Sequence, residues 1–253
     1  MKKIANLGML ALMSVILVAQ TSHALTVSVD GTKTWNGYMN VFANNNGAAG
    51  GYIFGSGWGL PDLKTTVTPS LLTLQPNFNG YANNVNGALP DKQFWTNYQP
   101  AQDVDGDGFF EIAEVPATLG NKWMQANSFI ELGAGTLNNT SLLFQGDVSS
   151  YTLSSGYNVY AFIKGLNPNN GYSADVFQSV ALNSSTTSFS VSANTGVGLI
   201  IQYGFAVEGL NANPANAGSL GSVQITAVPE PTSATLMSLG VAGLLAFRLR
   251  RKV

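Results

Sequence analysis

Along this chain, short runs of alternating or continuous apolar residues are separated by clusters of Gly, Asn and Pro. Residues 25–29 and 187–192 alternate with period two, which turns successive side chains to opposite faces of a strand and leaves one face of 187–192 wet. Residues 35–42, 52–54, 71–74, 128–132, 141–148, 157–164 and 222–226 are further strand candidates, most of them rich in β-branched and aromatic side chains. Residues 198–207 are apolar on both faces and predict a central strand. Asp30-Gly31 and the clusters at 44–47 and 167–171 read as turns, and the Asn- and Gly-rich segment 77–90 predicts loop. Roughly ten strands without an amphipathic helix predict an all-β body, an antiparallel sandwich or jelly roll.

The two ends follow a different pattern. Met1, Lys2 and Lys3 form a basic start, residues 7–19 are almost wholly apolar, and Ser22-His23-Ala24 is a small-x-small site. That arrangement predicts a signal peptide over residues 1–24, cut after Ala24 by signal peptidase, in preference to an uncleaved anchor with so short an apolar stretch. At the other end, Val228-Pro229-Glu230-Pro231 precedes a further apolar run and a basic terminus containing Arg248, Arg250 and Arg251. The prolines remove backbone donors and hold the segment extended. The 16 residues 232–247 fall short of the ~20 that span a bilayer, a deficit that snorkelling arginines or a thinner bilayer would cover. The basic cluster would stay cytoplasmic, so the body would lie outside the inner membrane. Residues 228–253 closely resemble the PEP-CTERM sorting signal of exopolysaccharide-producing Gram-negative bacteria. The resemblance implies a transient membrane stop removed by an exosortase; the plainer alternative is a permanent C-terminal anchor.

Setting both ends aside changes the composition of the body, residues 25–227. The only histidine, His23, lies in the leader, the chain has no cysteine, and all three arginines lie in the tail. The body therefore carries five cations, Lys33, Lys64, Lys92, Lys122 and Lys164, against 12 carboxylates, a formal charge of −7. Without His or Cys there is no Ser-His-Asp or Cys-His pair, no imidazole or thiolate site for zinc or copper, and no disulfide. Without Arg, and with negative charge, the footprint for nucleic acid is missing.

One chemical motif stands in the body. Asp103-Val104-Asp105-Gly106-Asp107-Gly108, followed by Phe109, Phe110, Glu111 and Glu114, matches the twelve-residue calcium-loop spacing D-x-D-x-D-G-x5-E. Asp103, Asp105 and Asp107 would offer single oxygens, Phe109 its carbonyl, Glu111 a direct or water-mediated contact, and Glu114 a bidentate carboxylate. Five of the body's 12 carboxylates crowd here without a cation among them, which calls for a counter-ion. The alternative is a solvated acidic loop. Pro100 and Pro116 exclude the flanking helices of a calcium sensor, so a static structural clip is expected, with an affinity that in an extracellular module can be as weak as about 10⁻⁴ to 10⁻³ M.

Residues 35–42, 52–59 with Asp62 and Leu63, 120–127, 160–164 and 202–205 look like the body of one group of PEP-CTERM proteins that has no assigned activity. That resemblance implies one continuous domain over 25–227, with 103–114 in a variable loop.

The expected role is a structural or adhesive protein of the cell surface or polysaccharide matrix, and not an enzyme. The alternative is a carbohydrate-binding module. Among Trp35, Trp58, Trp95 and Trp123, each more often a core residue than a ligand contact, Trp58 and Trp95 are the better candidates for glycan contact because they sit beside Gly-rich or loop sequence. A glycosidase using Glu131 and Glu208 is the least favoured reading.

Overall fold

The computed structural model describes residues 24–228. Twelve strands follow in chain order: β1 (Leu25–Ser28), β2 (Trp35–Asn44), β3 (Ala49–Gly57), β4 (Thr65–Val67), β5 (Leu72–Leu74), β6 (Lys122–Leu132), β7 (Ser141–Tyr151), β8 (Asn158–Asn167), β9 (Ser173–Leu182), β10 (Ser188–Asn194), β11 (Ile200–Leu210) and β12 (Val223–Thr226). They form two six-stranded sheets packed face to face. The second sheet runs β3-β2-β6-β11-β8-β9 and is antiparallel throughout.

The first sheet is organised around β7. Strand β10 pairs with residues 141–147 on one edge of β7, so β1, on 142–145, and β12, on 147–151, must share the opposite edge. Strands β5 and β4 continue outward from β12. Strand β1 runs parallel to β7, so this sheet is mixed, a departure from the purely antiparallel sandwich that the sequence predicts. The sandwich itself is as expected.

Period-two patterning explains the core. On β11, Ile201, Tyr203, Phe205 and Val207 point inward, where they meet Leu142 and Phe144 of β7, Phe189 and Val191 of β10, and Val223 and Ile225 of β12. Phe144 makes tilted or edge contacts with Phe189, Tyr203 and Phe205 at 5.2 to 5.3 Å between ring centroids, and Trp35 stacks on Phe205 at 6.4 Å. As expected, β11 is central and β10 alternates exposed and buried residues along its whole length.

Some expectations need correction. The predicted loop 77–90 contains two short helices, α1 (Asn79–Asn84) and, extending past it, α2 (Leu89–Trp95). At six and seven residues neither is long enough to show a helical apolar stripe, and the second is announced only by Pro90 in its first turn. A third short helix, α3 (Ala217–Leu220), follows a 3₁₀ turn at Pro214–Asn216. Strands β4 and β9 had no clear signal. Strand β4 is three residues long, and β9 is an edge strand with most residues exposed on both faces, which removes the alternation that marks a half-buried strand.

Candidate functional site

The acidic loop sits at the tip of an irregular antiparallel ladder rather than between helices. Bridges join Thr96 to Gly120, Gln99 to Val115 and Gln102 to Ile112, the last closed by two backbone hydrogen bonds of 2.9 and 3.2 Å. Between Gln102 and Ile112 the chain turns back on itself through Gly106 and Gly108, with φ of +78° and +92°. Backbone amides hold the carboxylates in place. The amides of Gly106 and Gly108 donate to the two oxygens of Asp103 at 2.6 and 2.8 Å, and Phe109 N–H donates to Asp107 at 2.8 Å. The Val104 amide donates to Glu111, and that of Asp107 to Asp105 at 3.2 Å.

The result is a convergent group. Carboxylate oxygens of Asp103, Asp105, Asp107 and Glu111 all lie within 4.8 Å of one another. Hard oxygen ligands and no nitrogen or sulfur suit calcium or magnesium. Glu114 stands outside that group, near the Tyr98 phenol. The Gln102–Ile112 bridge closes the ring ahead of it, whereas a calcium loop brings in its twelfth residue on an exiting helix. Val104, Phe109 and Phe110 project outward and are 66 to 75% exposed.

Trp58 and Trp95 are half-buried and pack against each other, with ring centroids 6.3 Å apart, over the cluster of Met39, Val41, Leu63 and Met124. Phe54 and Phe94 close edge-on against Trp95 at 6.1 and 5.0 Å. These two rings thus spend much of their surface on packing.

Sequence reasoning overlooked the outer face of the second sheet. Register aligns Glu131 of β6, Gln202 of β11, Lys164 of β8 and Phe177 of β9 in one row across four strands. Two residues along, Phe129, Gly204 and Phe162 form the next row, and beyond it lie Tyr38, Asn127, Ala206 and Tyr160. Small residues at the centre of β11 leave a groove of about 770 Å³ between the larger ones. Its polar side chains are linked: Gln202 donates to Glu131 at 2.7 Å, and Lys164 Nζ donates to Asn127 Oδ1 at 3.1 Å, 4.3 Å above the Phe162 ring. Beside the groove, Gln125 and the Tyr160 hydroxyl donate to the same oxygen of Glu208 at 2.6 and 2.9 Å. Burial pushes the Lys164 ammonium down to about 8, against the upward pull of the Glu208 charge. Burial, with Glu208 beside it, drives the Tyr160 phenol upward.

Glu131 and Glu208 share this face but do not form a pair. Glu131 is aligned with Gln202, six residues before Glu208 on β11, and six residues at ~3.3 Å each put about 20 Å between their backbones. Each carboxylate has its own partners, Gln202 for Glu131 and Gln125 with Tyr160 for Glu208, whereas glycosidase carboxylates face each other at ~5 to 9.5 Å.

The described residues thus make a β-sandwich body with an acidic loop at one ladder tip and a polar groove on one outer face. Residues 227–252 match the model of the PEP-CTERM protein-sorting motif, so this chain is a protein bearing that motif. The motif marks it as an exported protein, membrane-anchored before processing and handled by an exosortase-type enzyme. No curated protein and no solved structure matches the chain. Of the residues expected at the processing sites, Ala24 and Val228 fall at the limits of the described region, while Pro229, Glu230, Pro231, Arg248, Arg250 and Arg251, with the rest of the tail and residues 1–23, lie outside it. Among the described residues no helix is long and apolar enough to cross a membrane.

Proposed function

We propose that the body is a structural or adhesive module of the cell surface or exopolysaccharide matrix, delivered there through its sorting tail, and that calcium clips its 103–112 loop. The observation that carries the calcium reading is the convergence of four carboxylates within 4.8 Å on a ring closed at Gln102 and Ile112. Four negative charges at that spacing repel strongly unless a cation joins them. The Phe109 carbonyl and water would complete the shell. Cell-surface anchoring fits a body of net charge −7 with neither His nor Cys, which has no histidine-based catalytic pair.

The test is calorimetric titration and thermal melting of the full chain in detergent micelles, with calcium and with EDTA. Saturable binding and a raised Tm are expected, the gain approaching about 2.7 kcal/mol at a hundredfold excess over Kd. No heat and no shift at millimolar calcium would overturn the clip.

A carbohydrate-binding module is the second reading. It is favoured by the groove on the second sheet, where aromatic rings, amides and single charges of both signs lie together.

A further inference from the structure

We propose that the outer groove of the second sheet binds a neutral hexopyranose chain, with Tyr38 and Tyr172 as stacking rings and Lys164, Glu131 and Gln202 as the hydrogen-bonding groups. The inference rests on the carbohydrate-binding reading. It places the site away from Trp58 and Trp95.

The polar groups on this face are more buried than the outside of a sandwich requires. Asn127 is 2% exposed and Gln202 9%, and Lys164 is desolvated far enough to lower its pKa to about 8. Taking such groups from water is unfavourable unless hydrogen bonds replace it. Their bonding capacity is only partly used. An ammonium has three donors, and Lys164 makes one hydrogen bond among the described residues, to Asn127. Glu131 receives one donor, from Gln202, and keeps acceptor sites free. Spare donors and spare acceptors therefore line one groove, and a sugar hydroxyl, at once donor and acceptor, satisfies both.

Tyr172 gives an independent pointer. It lines the groove on the β8–β9 turn with φ of +59°, a left-handed conformation that is costly for a bulky side chain, and it is 62% exposed. Asn or Gly would make that turn without strain. Core packing does not explain an aromatic ring there, whereas a flat surface offered to the apolar side of a pyranose does. Tyr38, 39% exposed on β2, faces the same groove. The volume of about 770 Å³ lies within the ~300 to 1,000 Å³ of small-ligand clefts.

Charge selects the neutral class. An anionic sugar would meet Glu131 in the groove and Glu208 beside it, on a body of net charge −7 with no arginine. Against them stands Lys164 alone. A diol bridging carboxylate and ammonium meets no such penalty.

The experiment is binding of the full chain, in detergent micelles, to an array of neutral gluco-, manno- and galacto-oligosaccharides with alginate oligosaccharides as the uronate arm. Wild type, Tyr172→Asn, Lys164→Met and Trp58→Ala are compared. Neutral oligosaccharides should be retained, and Tyr172→Asn and Lys164→Met should each weaken binding at least tenfold, with Trp58→Ala within about twofold of wild type. Tyr172→Asn should also raise Tm, because it relieves the backbone strain, and this separates lost contact from lost fold. Neutral-sugar binding unchanged in Tyr172→Asn and Lys164→Met would overturn the groove while leaving the carbohydrate reading intact. Retention of alginate alone would overturn the neutral class. No retention of any glycan would overturn both the groove and the reading beneath it.

Discussion

The Thr65 and Ser128 hydroxyl oxygens lie 2.7 Å apart, both buried, and join β4 of the first sheet to β6 of the second across the sandwich interior. In an otherwise apolar layer this is one hydrogen bond that fixes how the sheets sit on each other. Removing one partner leaves the other without its bond, at about 1 to 3 kcal/mol, whereas removing both leaves no orphan. Thr65→Val and Ser128→Ala should each lower stability by that amount, and the double variant should lose clearly less than the sum. Urea unfolding of the four proteins of the cycle measures it; additivity would mean that the two hydroxyls act independently.

The loop carboxylates should divide into two classes. Asp103 and Glu111 belong to the convergent group, and Glu114 lies outside it, beyond the Gln102–Ile112 closure. Asp103→Asn and Glu111→Gln should therefore weaken calcium at least tenfold by calorimetry, and Glu114→Gln by less than about threefold. A Glu114 effect as large as that of Asp103 would mean that the ion reorganises the ladder to reach the twelfth residue.

Stability should rise with pH just above neutrality. The folded Lys164 pKa of about 8 lies below its ordinary 10.5, so between those values the unfolded chain binds more protons than the folded one, and stability increases as pH rises. The full penalty below pH 8 is roughly 3 kcal/mol. Above about pH 10 the raised phenol of Tyr160 works in the opposite sense, because the unfolded tyrosine ionises first. Urea midpoints should climb from pH 8 to 10 in the wild type, and Lys164→Met should flatten that climb.

What was legible beforehand is what local pattern encodes. Phe189 and Val191 are read as the buried face of a strand from period two alone, residues 198–207 as a central strand from being apolar on both faces, and the glycines and prolines around 103–114 announce a turn without helices. Strand β9 was not legible, because an edge strand exposed on both faces shows no alternation. Nor were α1 and α2, too short for a helical period and written in Asn, Gly and Pro.

The sequence by itself determined the sorting tail, the all-β class, the carboxylate cluster and the lack of histidine and cysteine in residues 25–227, since each is a matter of composition or of spacing within a few residues. Tertiary structure alone decided the neighbours. Whether Glu114 meets Asp103 depends on where the ladder closes. The row of Glu131, Gln202 and Lys164 depends on the register of three strands, two of whose members lie 71 positions apart in the chain. Register follows from how whole faces bury against each other, and a shift of one residue would turn that row into the core.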